Sequence, residues 1–310
     1  MNKMYKLFIG MSFMAALWGC DQKPAALTSV SGAYTYQLVK EGEGEQVKDG
    51  EYIVANLAIK DSKDSTWVER MVPDGPAVIF KEESRWLAGE AGFTEIFFNV
   101  KKGDSLIFEI PAMEFFQGRA PAWADTTGTF TFFCGIDSIY SASDFQALQE
   151  EQMQKDREEQ MAAMREGIDK DIETIKEHLR TKNLEAVESE NGILYIIHEE
   201  GEGPKGAPGQ TATVNYSGFL LDGTLFDTSV EEVARENGSY IEGRPYSPYV
   251  FTIDRTGVIT GWHEGFKLLN KGTKATLYIP SPLAYGERGS PPVIPPGAPL
   301  VFEVELLNLE

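Results

Sequence analysis

The chain carries VNYSGFLLDGTLFDTS at Val214–Ser229, and this stretch decides how the C-terminal part of the sequence folds. It is followed by VFTIDRTGVITGWHEGF at Val250–Phe266 and by IPSPLAYGERGSPPVIPPGAPLVFEVELLNLE at Ile279–Glu310. These segments bring many aromatic residues together with one embedded acid, Asp227. They contain no Ser/His/Asp or Cys/His arrangement for nucleophilic chemistry and no metal-ligand spacing. An aromatic pocket with one polar anchor instead suits the binding of a small hydrophobic group.

In this order, the three segments resemble the FKBP-type peptidyl-prolyl cis-trans isomerases, which bind macrolides such as tacrolimus. The resemblance covers residues 192–310. It implies an α+β fold, with an antiparallel five-stranded sheet wrapped around a short helix, and an isomerase that acts on X-Pro bonds. Such an enzyme needs no cofactor and no metal. Amide resonance sets a rotation barrier of about 18–20 kcal/mol, and a dry pocket that favours the less charge-separated twisted amide lowers it.

The resemblance also implies a role for individual residues. Trp262 would form the pocket floor under the proline ring, and Asp227 would orient the site through hydrogen bonds and its field. The backbone N–H of Ile259 and the hydroxyl of Tyr285 would donate hydrogen bonds to substrate carbonyl groups. The walls, the rim and the covering loop would come from Tyr216, Phe226, Tyr249, Phe302, Val258, Val293 and Ile294.

Structural roles stay open for several of these residues, and the sequence departs from the family in two places. Phe302 alternates with polar neighbours and would also suit a core position, while Asp227 would also suit a turn after LDGTLFD. Residues 228–248 form a longer insertion than the minimal family domain has. The family's arginine partner of the acid lies there, and Arg244 is the nearest candidate at a shifted spacing. Ser290 stands where many members have histidine, so no acid–base role is expected at that position.

An earlier part of the chain repeats the C-terminal pattern. KEGEGEQVKDGEYIVANL at 40–57 parallels EEGEGPKGAPGQTATVNY at 199–216, and GFTEIFFNVKKGDSLIFEIP at 92–111 parallels GWHEGFKLLNKGTKATLYIP at 261–280. Residues two apart on a strand face the same side, and the apolar positions of both copies agree in this parity. We therefore predict residues 31–140 to be a divergent FKBP-like domain, followed by the isomerase domain at 189–310.

The first copy lacks most of the groups that the resemblance assigns to the pocket. Glu90 falls where Ile259 does, and a charged carboxylate opposes a dry proline pocket. We therefore expect residues 31–140 to show no isomerase activity. The other replacements are Leu57 for Tyr216, Phe93 for Trp262, Phe116 for Tyr285, and Trp67 and Val68 for Phe226 and Asp227.

The N-terminal residues 1–19 have the pattern of a signal peptide, followed by a tether at 20–30. Lys3 and Lys6 precede the apolar run LFIGMSFMAAL, which is too short for a membrane-spanning helix. LWGC resembles a bacterial lipobox, which predicts lipidation of Cys20; the alternative is a plain secretory signal. Acyl chains would anchor the protein in the cell envelope, on the periplasmic side or at the outer-membrane surface.

Charge and cysteine content limit the other classes of partner. The chain has 310 residues, which suggests about two domains, and a formal net charge of −20. Nucleic acid is excluded as a partner, because phosphate binding needs a basic surface. Cys134 is the only cysteine besides Cys20, so the mature chain has no internal disulfide. The three histidines are scattered along the sequence and are not expected to bind a metal.

Residues 141–188 are predicted to form a helical linker. Strong helix formers fill this segment, and Ser143 with Asp144 suits an N-cap. Apolar residues at spacings of three and four form one stripe, which would either pack on a neighbouring domain or form a homodimer. The residues of this stripe are Met161, Met164, Ile168, Ile172, Ile175 and Leu179.

These observations predict a prolyl isomerase that assists the folding of exported, proline-containing polypeptides and that macrolides inhibit. Two alternatives stay open. One is a holding chaperone in which both domains grip unfolded chains, and the other is a structural partner of an envelope complex. The intact set of Tyr216, Asp227, Trp262 and Tyr285 favours the enzyme, because a scaffold has no need of all four together.

Overall fold

The computed structural model describes residues 26–61, 76–116, 118–120 and 127–310. The chain divides into two compact units, residues 1–153 and 154–310, which we call unit 1 and unit 2. The predicted signal peptide, Cys20, Trp67 and Val68 lie outside the described residues, so the roles assigned to them stay predictions.

Unit 1 is an antiparallel sheet packed on short helices. Leu106, Phe108 and Ile110 alternate with more exposed residues and face the core, as the period of two predicts. The helical elements are α1 (Glu83–Leu87), a 3-10 helix at Gly92–Phe97 and α2 (Ala112–Phe115). The strands are β1 (Ala26–Thr28), β2 (Thr35–Lys40), β3 (Tyr52–Lys60), β4 (Ala77–Phe80), β5 (Ser105–Pro111) and β6 (Thr129–Tyr140), paired in the order β1-β2-β5-β6-β3-β4.

The long helix α3 (Ala142–Thr181) follows, and its 40 residues span about 60 Å at 1.5 Å per residue. The Asp144 N–H donates to Ser141 Oγ at 3.1 Å, so Ser141 caps the helix where Ser143 was expected. Near the start of α3, Phe145 stacks on Tyr52 of unit 1 with ring centroids 4.3 Å apart. No helix among the described residues is long and apolar enough to cross a membrane.

Unit 2 contains a second antiparallel sheet and a small two-stranded one. The main sheet has seven described strands where five were expected, because short strands extend both of its edges. Its helices are α4 (Glu231–Glu236) and α5 (Thr260–Phe266), with 3-10 turns at Ser281–Leu283 and Gly286–Arg288. The strands are β7 (Val187–Glu188), β8 (Leu194–Glu199), β9 (Glu202–Lys205), β10 (Thr211–Leu220), β11 (Leu225–Thr228), β12 (Tyr249–Thr252), β13 (Asn270–Lys271), β14 (Lys274–Ile279) and β15 (Leu300–Leu309).

The main sheet of unit 2 runs β11-β10-β15-β14-β8-β7, with β12 also paired to β10, and β9 pairs with β13. Antiparallel sheets with segregated helices confirm the predicted α+β class. The strands β1 and β7 lie inside the segments predicted as tether and linker. They differ from that expectation because each pairs with the next strand, β2 or β8, and so extends the sheet edge.

The two units repeat the same pairing pattern. In the predicted alignment β3 and β5 correspond to β10 and β14. These strands occupy equivalent places in the two sheets, and β6 takes the place of β15 between them. The β3–β6 pairing shifts between Val54 and Ala55, and the β10–β15 pairing shifts between Thr213 and Val214, which is the aligned position. Matching bulges of this kind mean that equivalent residues face the core of each unit.

Side-chain details repeat as well. The Tyr34 N–H donates to Ser29 Oγ at 3.1 Å, and the Ile193 N–H donates to Ser189 Oγ at 3.1 Å in the corresponding turn of unit 2. A loop glycine approaches a backbone carbonyl in both units. A Cβ on Gly42 would lie 2.0 Å from Lys102 O, and one on Gly201 would lie 2.3 Å from Lys271 O.

The second half of α3 packs on the sheet of unit 2. Ile172, Ile175 and Leu179 are buried there against Leu194 and Tyr278. Strand β14 is consequently buried on both faces, with Leu277 toward α5 and Tyr278 toward α3. The predicted stripe is thus divided, because Met161 and Met164 at its start are 58% and 41% exposed.

Candidate active site

Helix α5 begins directly after Ile259 and carries Trp262 into the core of unit 2. Gly261 makes this close packing feasible, because a Cβ there would lie 2.3 Å from Ile279 Cγ2. The indole of Trp262 is 5% exposed, and its Nε1–H has no hydrogen-bond partner among the described residues. Five rings surround the indole, with centroids 5.1 to 5.9 Å away: Tyr216, Phe302, Phe251, Phe266 and Tyr249.

Two adjacent strands supply the wall beside this indole. Tyr216 on β10 and Phe302 on β15 have ring centroids 6.5 Å apart. Gly218 lies opposite Phe302 in the ladder, and a Cβ at Gly218 would lie 2.5 Å from Phe226 Cζ and 2.9 Å from Phe302 Cε1. This glycine therefore leaves the space in which Phe226 and Phe302 meet edge to face at 5.5 Å. Sequence reasoning missed Gly218, although a glycine inside a strand signals a close approach.

Asp227 is held between a tyrosine and an arginine. Tyr216 Oη donates to Asp227 Oδ2 at 2.6 Å, and Arg244 Nη2 donates to Asp227 Oδ1 at 2.6 Å. Arg244 Nη2 also donates to Thr228 O at 3.2 Å. The insertion thus supplies the arginine partner of the acid despite its shifted spacing. Tyr240 and Tyr246 brace that insertion, stacked with centroids 5.7 Å apart.

Burial and these contacts raise the pKa of three side chains in the site. Burial and the hydrogen bond to Asp227 raise the pKa of Tyr216 well above its ordinary value, so Tyr216 stays a neutral donor. The same carboxylate raises the pKa of Arg244 through its hydrogen bond. Burial and the negative charge of Asp227 raise the pKa of Tyr285. The site therefore holds one carboxylate paired with a guanidinium, beside neutral phenols.

Two donors at the rim stay available. Within the described part of the chain, neither the Tyr285 hydroxyl nor the Ile259 N–H has a hydrogen-bond partner. Tyr285 is 40% exposed, whereas Ile259 and Val258 are half-buried against the core that contains Trp262. In the covering loop Ile294 packs into the same core, and its neighbour Val293 faces outward.

The aromatic side chains around Trp262 offer an apolar surface that a ring can contact. Among the described residues, no group of three His, Cys, Asp or Glu side chains is placed to hold a metal ion. His263 Nδ1 accepts a hydrogen bond from the Asp254 N–H at 3.0 Å, so this histidine serves the local backbone. The described residues thus place a cluster of aromatic rings beside two donors, Ile259 N–H and Tyr285 Oη, that have no partner among them.

Comparison with known proteins agrees with this geometry. A family model described as FKBP-type peptidyl-prolyl cis-trans isomerase matches residues 203–307. Unit 2 contains an FKBP-type domain. The matched residues include Trp262 and the five aromatic residues around it.

Relatives share this domain over part of their length. The chain is 43% identical over 122 residues to the FKBP-type peptidyl-prolyl cis-trans isomerase FkpA of Escherichia coli (strain K12), covering 39% of each chain. It is 36% identical over 160 residues to the probable FkpA of Neisseria meningitidis serogroup B, covering 52% of this chain and 53% of the relative. The chain thus spans about half or less of these relatives. The crystal structure of FkpA from Escherichia coli aligns at 32% identity and a TM-score of 0.36, over 55% of this chain and 74% of that one.

In unit 1 phenylalanine rings pack together at the position that corresponds to Trp262. Phe93 takes the place of Trp262, and its ring lies 5.7 Å from Phe132 and 6.2 Å from Phe115. In the alignment Phe115 corresponds to Ala284 of the FKBP domain, so a large ring stands where the FKBP domain has a methyl group. The ring centroids of Phe115 and Phe132 are 5.5 Å apart.

Proposed function

We propose that the FKBP domain catalyses cis–trans isomerisation of X-Pro bonds in polypeptides. The observation that carries this proposal is the aromatic floor at Trp262, beside which two donors, Ile259 N–H and Tyr285 Oη, have no partner in the described part of the chain. A proline ring would lie on the indole, and the donors would hold the carbonyl groups on either side of it.

Catalysis requires only a modest reduction of the rotation barrier. Uncatalysed exchange takes roughly 10–100 s, and a ten-thousandfold acceleration requires a reduction of about 5–6 kcal/mol. The buried aromatic surface favours the twisted amide, which has less charge separation than the planar form. Asp227, fixed by Tyr216 and Arg244, sets a constant field beside the rotating bond.

The partners follow from the same chemistry together with the predicted leader. We infer that the substrates are unfolded, exported chains with exposed X-Pro bonds, and that macrolides such as tacrolimus compete for the floor. Lipidation of Cys20 would place the protein in the cell envelope. Mass spectrometry of the membrane-extracted protein tests this, and an unmodified Cys20 would end the lipoprotein proposal.

The isomerase proposal is tested with the full chain in a protease-coupled assay on a hydrophobic-X-Pro peptide. Trp262→Ala should abolish most of the activity and of the macrolide binding. Tyr285→Phe should lose one hydrogen bond worth about 0.5–1.5 kcal/mol and keep partial activity. Phe93→Ala changes the equivalent residue of unit 1 and should leave turnover unchanged. A wild-type rate equal to the uncatalysed one would refute the proposal.

A second candidate, a holding chaperone, is favoured by apolar surface outside the pocket. Met153 and Met161 on α3 are 59% and 58% exposed, and Val78 and Phe80 on β4 are also exposed. Exposed apolar side chains of this kind can bind unfolded segments or a second copy of α3. Isomerisation would then be incidental to binding.

A further inference from the structure

A buried carboxylate of α3 contacts the segment that leads to Tyr285. Asp171 is 7% exposed, and its Oδ2 accepts a hydrogen bond from the Ser281 N–H at 2.6 Å. The neighbouring buried positions of α3, Ile172 and Ile175, are apolar. A carboxylate at such a position loses its hydration and needs a specific partner. Among the described residues that partner is a backbone group of the FKBP domain.

In unit 1 the same backbone position has a different partner. Ala112 is the counterpart of Ser281, and its N–H donates to Gly128 O of its own unit at 3.0 Å. The ladder of β5 with β6 there continues to the pair Pro111 and Thr129. In the FKBP domain the corresponding ladder ends earlier, at Ile279 and Leu300. Asp171 of α3 therefore satisfies a donor that the sheet satisfies in unit 1.

Asp171 binds a segment that leads to Tyr285 and that contacts the helix carrying Trp262. Ser281 opens the 3-10 turn, its carbonyl accepts the Ala284 N–H at 2.9 Å, and Tyr285 follows. Leu283 O lies 3.1 Å from where a Cβ of Gly261 would stand, directly before Trp262.

Helix α3 also contacts this turn through a second residue. A Cβ on Gly167 would lie 2.9 Å from Pro282 Cγ. Helix α3 therefore fits the 3-10 turn both sterically, at Gly167, and by a charged hydrogen bond, at Asp171.

We propose that Asp171 is a positioning residue of the isomerase site, acting through Ser281 on the placement of Tyr285. This inference rests on the proposed isomerase function. Removing the carboxylate leaves the Ser281 N–H without its acceptor and frees the turn to shift. The Tyr285 hydroxyl then no longer stays where the twisted amide needs it, while the apolar floor at Trp262 still binds the proline ring. The loss should therefore fall on kcat more than on KM.

The test compares full-length variants on a short X-Pro peptide. Asp171→Leu should lower kcat/KM roughly tenfold, as expected for the loss of one hydrogen bond to a charged group. Asp171→Asn keeps an acceptor oxygen and should stay within about twofold of wild type. Asp169→Leu alters an exposed acid of the same helix and is the matched control. Hydrogen exchange of residues 280–289 should accelerate in Asp171→Leu alone among these three.

Ile175→Ala distinguishes positioning from loss of stability, because it removes a fully buried apolar side chain that has no acceptor for the Ser281 N–H. If Ile175→Ala lowers kcat as Asp171→Leu does, positioning by Asp171 is overturned. Positioning by Asp171 is also overturned if the Asp171→Leu variant has the kcat/KM and the hydrogen exchange of wild type. If the wild type fails to isomerise, the proposed function is lost. In that case the hydrogen exchange of residues 280–289 in Asp171→Leu still shows whether Asp171 fixes the 3-10 turn at Ser281.

Discussion

Asp227 has two partners that contribute different things. Arg244 balances its charge, but both side chains of this ion pair are over one-third exposed, so solvent screens much of the attraction. Tyr216 is a neutral donor and orients the carboxylate, because its ring packs against Trp262 and Tyr249. The carboxylate is thus aimed by packing, with the arginine as a counterion.

The raised pKa of Tyr216 has a consequence for stability at high pH. Since folding raises this pKa above the unfolded value of about 10, the stabilisation is complete below that pH and disappears as pH rises through the folded pKa. We therefore expect the free energy of unfolding to fall more steeply above pH 10 in wild type than in Tyr216→Phe. Urea titrations between pH 8 and 11, followed by tryptophan fluorescence, measure this difference.

The control for this measurement is Tyr240→Phe, which removes a phenol stacked on Tyr246 outside the pocket. Its curve shows how much the loss of a phenol other than Tyr216 changes the slope. Parallel curves for wild type and Tyr216→Phe would contradict the assigned contact between Tyr216 and Asp227.

At the scale of structural elements, the loops that carry Gly42 and Gly201 have the same kind of contacts in the two units. Asp104 Oδ1 accepts the Gly42 N–H at 2.6 Å, and Asp104 Oδ2 accepts the Lys101 N–H at 2.7 Å, which fixes two backbone segments together. In unit 2, Thr273 takes the place of Asp104 and accepts the Gly201 N–H at 3.1 Å. The glycine is needed because backbone atoms, which cannot move aside as a flexible side chain would, fill the Cβ position.

Gly42→Ala should therefore destabilise unit 1 by about 1–3 kcal/mol, the range for overpacking. Gly135→Ala is the matched control on β6 of the same unit, since nothing lies within 4 Å of its Cβ position and its φ is not positive. That change should stay near or below about 1 kcal/mol and can be stabilising. Hydrogen exchange of β5 in increasing urea reports both values. Equal stability of the two variants would be inconsistent with the close approach of Gly42 to Lys102.

At the scale of the whole molecule, the burial of α3 differs along its length. Its second half is buried against the FKBP domain by Ile172, Ile175 and Leu179, as one interpretation of the stripe predicted. Its middle presents Met153, Met161 and Met164 to solvent. This exposed surface is available to a client or to a second copy, as the alternative interpretation requires.

Replacing Met153, Met161 and Met164 together with Gln removes this apolar surface at little cost in helix propensity. We expect the full-length triple variant to suppress aggregation of a refolding client less well than wild type, with unchanged turnover on short peptides. Light scattering at equal molarity measures the suppression. The control triple Lys155→Gln, Glu158→Gln and Arg165→Gln changes exposed polar residues of the same helix. Equal suppression by all three proteins would leave α3 without a holding role.

The sequence by itself determined the α+β class, the FKBP-type domain and the internal repeat. Those features are encoded locally, in the two-residue period of strands such as β5 and β14 and in the aromatic motif around Trp262. The aligned parity of Ile53 with Ala212 also indicated which faces of β3 and β10 are buried, because side chains two residues apart on a strand face the same side. The resemblance assigned the pocket residues, and the structure brings Tyr216, Tyr249, Trp262 and Phe302 together.

Only the tertiary structure decided what depends on contacts between distant segments. The partnership of Arg244 with Asp227 required the path of the insertion, which spacing alone does not give. The need for glycine at position 218 follows from the contact of Phe226 and Phe302, which together occupy the space of a Cβ there. The hydrogen bond of Asp171 to Ser281 joins residues 110 apart in sequence, and the helical pattern of α3 gives no sign of it. Local periodicity fixes which face of an element is apolar, whereas the pairing of single polar groups depends on how those faces pack in space.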